Sequence, residues 1–370
     1  MSTPHFHPLF VKASTPLTAD ALQITFAIPP DLRDKFAFKP GQFVTLRAMV
    51  NGESVRRSYS ICSSPAMLDK HQEISVGIKR VEGGVFSNWA ATALQVGDEL
   101  DVMPPDGRFT QRAIDLAVDK GMHRVGFAAG SGITPIVSIM AHTLATEPAL
   151  RFTLVYGNQR ASSIMFNEEL QNLKDRYPAR VNLLHILSRQ SQEIALFNGR
   201  IDEAKVAELL ELSLPASSID ETFICGPEAM IEATERALLA GGVARERVHT
   251  ERFASNHASP KKIAAHDHLT LASGSKTSKY ALEVVLDGKS HVMGMEDADI
   301  VLDTALGAGL DLPYACKGGV CCTCRAKVLE GKVSMDKNFT LEQWEIDKGF
   351  VLTCQARCVS ARVVVSYDER

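Results

Sequence analysis

Four of the eight cysteines in this 370-residue chain stand in one stretch, DLPYACKGGVCCTCRAKV at 311–328: Cys316, Cys321, Cys322 and Cys324. Two more, Cys354 and Cys358, follow in the same C-terminal segment. A fold that crowds its thiols in this way joins them as disulfides or spends them on a metal. The remaining sequence weighs against disulfides. The N-terminus, MSTPHFHPLFVKAS, has no basic stretch leading into an apolar one, and no apolar run reaches membrane-spanning length. The expected compartment is the cytoplasm, with no membrane partner, where thiols stay reduced. A net charge of −4 and a pI near 6.3 exclude a broad nucleic-acid footprint.

The length calls for two or three domains, and the texture changes along the chain. Residues 1–112 read as short strands ("LQITFAIP", "GQFVTLRAMV", "RRSYSICS", "EISVGIKR") punctuated by Gly and Pro, which predicts a small β-barrel. Residues 113–253 alternate strand and helix: "RVGFAAG" then "TPIVSIMAHTLA", "RFTLVYG" then "SIMFNEELQNLKDRY", "VNLLHILS" then "DEAKVAELLEL", "ETFICG" then "PEAMIEATERALLA". That order predicts a doubly wound parallel α/β sheet. Residues 254–279, rich in Ala, Ser, Lys and His, read as a linker, and 280–370 begin afresh with a hairpin around Asp287-Gly288.

Spacing separates the two metal readings. Cys316, Cys321 and Cys324 form C-x4-C-x2-C, and Cys354 in "VLTCQA" supplies a distant fourth thiol. This is the plant-type [2Fe–2S] pattern. Gly318 and Gly319 would let the backbone curl so that its N–H groups meet the sulfurs. A zinc site drawn on Cys321, Cys324, Cys354 and Cys358 leaves Cys316 and the glycines without a role. Cys322 and Cys358 read as spare or buried thiols.

A cluster carries single electrons, so the rest of the chain is read for their source. "RRSYS" contains R-x-Y-S: Arg57 offers a cation for a phosphate, Tyr59 a flat cover for a ring, and Ser60 a hydrogen-bond partner for flavin N5. In "VEGGVFSNWA", Gly83 and Gly84 precede a helical stretch with Ser87 in its first turn, a pyrophosphate-binding arrangement. "FAAGSGITPIVSIM" is a strand, a turn through Gly130 and Gly132, and a helix expected to begin at Pro135. "ICGPEAM" places Cys225 and Gly226 at a later strand end, at the edge of the sheet where ligands of such folds bind. After "VNLLHIL" come Ser188 and Arg189, with Arg200 further on. A hydroxyl and cations at a strand end suit the 2′-phosphate of NADPH rather than NADH.

Together these motifs resemble the ferredoxin–NADP reductase superfamily, and residues 280–370 resemble a plant-type ferredoxin, so the resemblance spans essentially the whole chain. It implies a flavin-binding β-barrel, a nicotinamide-binding α/β domain and a C-terminal β-grasp ferredoxin domain. It implies that Arg57, Tyr59 and Ser60 bind flavin, that Gly130, Gly132 and Thr134 meet the phosphates of the dinucleotide, and that Cys225 and Gly226 lie near the nicotinamide. Ser60 and Cys225 are the expected catalytic residues, and Glu251 or Phe253 of "HTERF" is expected to border the hydride site. The implied cofactors are FAD, NADPH and a [2Fe–2S] cluster on Cys316, Cys321, Cys324 and Cys354, although some relatives with this domain order use FMN. The implied partner is the oxygenase component of a multicomponent system. A reductase for another aromatic-ring oxygenase and a non-catalytic electron carrier are the rival readings.

Overall fold

A computed structural model of the chain describes residues 5–112, 121–253 and 278–369. It divides into two compact units, Phe6–Arg252 and a C-terminal one from Phe253 onward. The expected linker lies, but for its last two residues, outside the described residues. No helix among the described residues is long and apolar enough to cross a membrane.

The first unit opens with six antiparallel strands: β1 (His7–Thr18), β2 (Ala21–Ala27), β3 (Phe43–Val50), β4 (Glu53–Ser60), β5 (Glu73–Lys79) and β6 (Glu99–Val102). Their order is β4-β3-β6-β1-β2-β5. The two ends of that order meet through an antiparallel bridge between Ile61 and Val76, so the sheet closes on itself. Alternation fills the interior: Leu9, Val11, Ile24, Phe26, Val44, Leu46, Val76 and Ile78 point inward. Two helices, α1 (Pro65–His71) and α2 (Val85–Thr92), accompany the strands, and Phe86 of α2 joins the barrel core. β1 is the strand that sequence reading passed over. Its prolines, Pro8 and Pro16, argue against a strand, yet Leu9 and Val11 are buried while Phe10 between them is 55% exposed.

The same unit continues into five parallel strands, β7 (His123–Ala129), β8 (Arg151–Asn158), β9 (Val181–Leu187), β10 (Glu221–Gly226) and β11 (Val248–Arg252), in the order β11-β10-β7-β8-β9. The helices α3 (Ile133–Thr146), α4 (Asn167–Arg176), α5 (Glu203–Leu212) and α6 (Glu228–Ala240) connect them. Pro135 is the third residue of α3, not the first. Nothing is lost by this, because N–H groups throughout a helix's first turn lack an intrahelical acceptor. At the N-terminal end of the central strands, Arg124 of β7, fully buried, donates to Glu221 of β10 at 2.8 Å and to Glu147 after α3 at 2.7 Å. Removing one partner of such a buried pair costs about 3–5 kcal/mol.

The barrel packs on the parallel sheet through α3. Ser138 Oγ donates to the Ser63 carbonyl at 2.7 Å, and a methyl on Gly77 of β5 would stand 2.7 Å from Thr134 Cγ2.

The second unit contains β12 (Tyr280–Leu286), β13 (Lys289–Met295), β14 (Arg325–Glu330), β15 (Val333–Met335), β16 (Phe350–Leu352), β17 (Ala356–Cys358) and β18 (Arg362–Ser366), with helices α7 (Val301–Gly307) and α8 (Gln343–Asp347). The expected hairpin pairs Leu286 with Lys289 across Asp287 and Gly288. The main sheet runs β13-β12-β18-β14-β16, with β12 and β18 parallel and the other neighbours antiparallel. A core around Leu282, Val301, Leu302, Leu352 and Tyr367 joins α7 to this sheet.

Candidate functional site

β4 ends at Ser60, and β11 carries Glu251 directly beside Cys225 of β10. Ser60 is buried, and its Oγ donates to Glu251 Oε2 at 3.2 Å, so the end of the barrel motif meets the C-terminal edge of the parallel sheet. Burial pushes the Glu251 carboxyl up to about 8, against a smaller opposite pull from the Ser60 hydroxyl. Cys225 is fully buried. Burial first, and then the Glu251 charge, push its thiol well above the ordinary range. At neutral pH both groups therefore keep their protons. Arg57 and Tyr59 share a face of β4, as alternation requires. Both are half-buried, and Tyr59 lies 5.6 Å from Phe86 in a tilted ring pair.

Two turns face helix N-termini. Gly84 is the N-cap of α2, Gly83 before it has left-handed backbone, and the buried Ser87 accepts the Val81 N–H at 3.2 Å. Ser87 thus holds the turn together. Gly130 to Gly132 form a tight turn before α3, where the Gly130 carbonyl accepts the Tyr156 hydroxyl at 2.9 Å and Thr134 Oγ1 donates to Ser131 O at 3.0 Å. A Cβ on Gly132 would lie 2.1 Å from the Cys225 carbonyl oxygen, so only glycine lets this turn approach β10. Gly226 is less tightly held: a Cβ there would stand 2.8 Å from Met230 Cε, the end of a flexible side chain, and 3.2 Å from Ala129 N.

Beyond β9, a parallel bridge joins Leu187 to Asn198, which carries Arg200 back toward Arg189. Gln192 and Asn198 close this loop: Gln192 N donates to Asn198 Oδ1 at 2.7 Å, and Asn198 Nδ2 donates to Gln192 O at 2.9 Å. Ser188, Arg189 and Arg200 are exposed, and among the described residues neither arginine has an ion-pair partner.

In the second unit the four thiols of the cysteine motif influence one another. The Cys321 thiol, then the backbone N–H groups of Gly318, Val320 and Cys321, lower the Cys316 thiol. The Cys324 thiol lowers that of Cys354, which also receives the Gly319 N–H. Cys321 and Cys324, the donors, are pushed up. The loop achieves this with left-handed backbone at Lys317, Gly319 and Cys322. Gly318 does not share that conformation. It contributes its N–H, 3.3 Å from Cys316 Sγ. Four thiols, three from one curled loop and the fourth from the chain after β16, match the four-cysteine ligand set of a two-iron cluster. Cys358 lies apart, its Sγ 3.5 Å from Met295 Sδ. Sequence reading missed Gln355, whose side chain reaches both the loop and Cys354. Its position next to a ligand candidate was the only available signal.

Comparison with known proteins agrees with this geometry. The oxidoreductase FAD-binding domain pattern matches residues 8–111, the oxidoreductase NAD-binding domain pattern 127–236, and the 2Fe-2S iron-sulfur cluster binding domain pattern 284–359. The chain is 42% identical over 368 residues to one of the subunits of 1,2-phenylacetyl-CoA epoxidase from Escherichia coli (strain K12), covering 99% of this chain and 98% of that one. It is 36% identical to the ferredoxin reductase component of 3-ketosteroid-9-alpha-monooxygenase of Rhodococcus rhodochrous, covering 97% of this chain and 96% of that one. Phthalate dioxygenase reductase shares its fold, with a TM-score of 0.57 at 19% identity and 98% of each chain covered. The chain therefore belongs to the ferredoxin–NADP reductase superfamily, in the branch of oxygenase reductase components that join FAD-binding, NAD-binding and 2Fe-2S domains in one polypeptide.

Proposed function

We propose that this reductase draws electrons from NADPH and delivers them to the phenylacetyl-CoA epoxidase complex in the cytoplasm. The observation that carries the choice of partner is 42% identity along 99% of the chain to the matching component of that epoxidase. Bound FAD supplies the conversion of a hydride into single electrons, and a bound [2Fe–2S] cluster relays them one at a time.

The residues divide that work. Arg57 and the turn through Gly83, Gly84 and Ser87 would hold the flavin phosphates, and Tyr59 would cover the ring. Ser60 would orient flavin N5, and Glu251 fixes the Ser60 hydroxyl. Gly130, Gly132 and Thr134 would admit the dinucleotide phosphates to the N-terminus of α3, with Cys225 and Gly226 beside the nicotinamide. Ser188, Arg189 and Arg200 would receive the 2′-phosphate, the two cations lying exposed at one strand end. Cys316, Cys321, Cys324 and Cys354 would hold the cluster.

The purified full chain should contain FAD, iron and sulfide, bleach on adding NADPH, and consume NADPH in step with product when mixed with the phenylacetyl-CoA oxygenase components. Bleaching without coupled turnover would assign it to another oxygenase, as the 36% identity to a steroid monooxygenase component allows.

A further inference from the structure

The two sides of the cysteine site are supported differently. Cys316 stands in a curled loop, where the Gly318 N–H donates to its Sγ at 3.3 Å. Cys354 arrives after β16, outside that loop. Gln355 links the two. Its Nε2 donates to the Lys317 carbonyl at 3.0 Å and to the Cys354 carbonyl at 2.9 Å, and lies 3.7 Å from Cys354 Sγ. Two carbonyl acceptors around one end of the amide fix that end as the NH2, since an oxygen there would be repelled by both. The side chain is buried, and its backbone is pinned on both sides: Gln355 N donates to Leu352 O, and Gln355 O accepts from Asp336 N, each at 2.9 Å.

We propose that Gln355 is a positioning residue: one of its two N–H bonds ties the distant ligand Cys354 to the loop at the Lys317 carbonyl, the other is shared between the carbonyl and the Sγ of Cys354, and that shared bond raises the reduction potential of the cluster. The inference rests on the cluster assignment made above. A donor on a ligand sulfur stabilises the extra negative charge of the reduced state, so removing it shifts the potential downward.

The test is a reductive titration of the full chain with its cluster, wild type against Gln355→Leu and Gln355→Glu. Both variants should hold iron and sulfide at the wild-type ratio and show a more negative midpoint. The shift should be larger for Gln355→Glu, which replaces a donor by an acceptor. A wild-type midpoint in a loaded Gln355→Leu chain, even one that sheds iron faster, makes the residue merely structural and overturns the proposal. If the variants fail to load, pulsed EPR of the reduced wild-type chain carrying 15N in its glutamine side-chain amides decides instead. A hyperfine coupling from such an amide is expected, and its absence is fatal. A wild-type chain that holds no iron defeats the cluster assignment itself, a distinct outcome.

Discussion

At the scale of single residues, the Ser60–Glu251 bond makes the sharpest demands. Ser60→Ala should retain FAD yet slow flavin reduction by NADPH about 10–100-fold, the cost of one hydrogen bond at the reacting atom. Stopped-flow traces equal to wild type would remove Ser60 from the chemistry. Glu251 adds a pH dependence. Its carboxyl is raised to about 8, so it stays neutral through neutral pH and ionises only as pH climbs past that value. A carboxylate there opposes the negative charge that arrives with the hydride. The wild-type rate should therefore fall above about pH 8 and Glu251→Gln should level the profile; a decline persisting in the variant would assign it to another group. Arg189→Ala should raise KM for NADPH and spare NADH, because only the former carries a 2′-phosphate. Equal effects on both coenzymes would leave Arg189 as a surface cation.

At the scale of elements, the turn between β7 and α3 works only because it lies against β10. Gly132→Ala would force its methyl into the Cys225 carbonyl, 2.1 Å away, with backbone on both sides and no flexible side chain to yield. The expected cost is about 1–3 kcal/mol of stability together with a higher KM for NADPH. Unchanged urea unfolding would mean that β10 shifts freely. This contact was not legible in the sequence. The glycine spacing announced a phosphate turn, while the reason for the second glycine is a strand far along the chain. Pro135 shows the same limit. Its presence marked the start of a helix, but the residue at which helical geometry begins depends on the turn packed before it.

At the scale of the molecule, residues 1–253 should fold alone, bind FAD and reduce ferricyanide from NADPH, since residues 6–252 form a compact unit of their own. That fragment should fail to support an oxygenase. If it sustained coupled turnover as well as the full chain, electrons would not leave through the cysteine loop. The sequence by itself determined the order of the three segments, because strand alternation, strand–helix repetition and the C-x4-C-x2-C spacing are local patterns written within a few residues. It likewise named Ser60, Cys225 and the four cysteines. Only the tertiary structure decided which of them meet. Barrel closure at Ile61 and Val76, the bond from Ser60 to Glu251 and the reach of Gln355 from Cys354 to Lys317 are all contacts between segments distant in the chain. Such contacts are set by packing and register, and no local spacing encodes them.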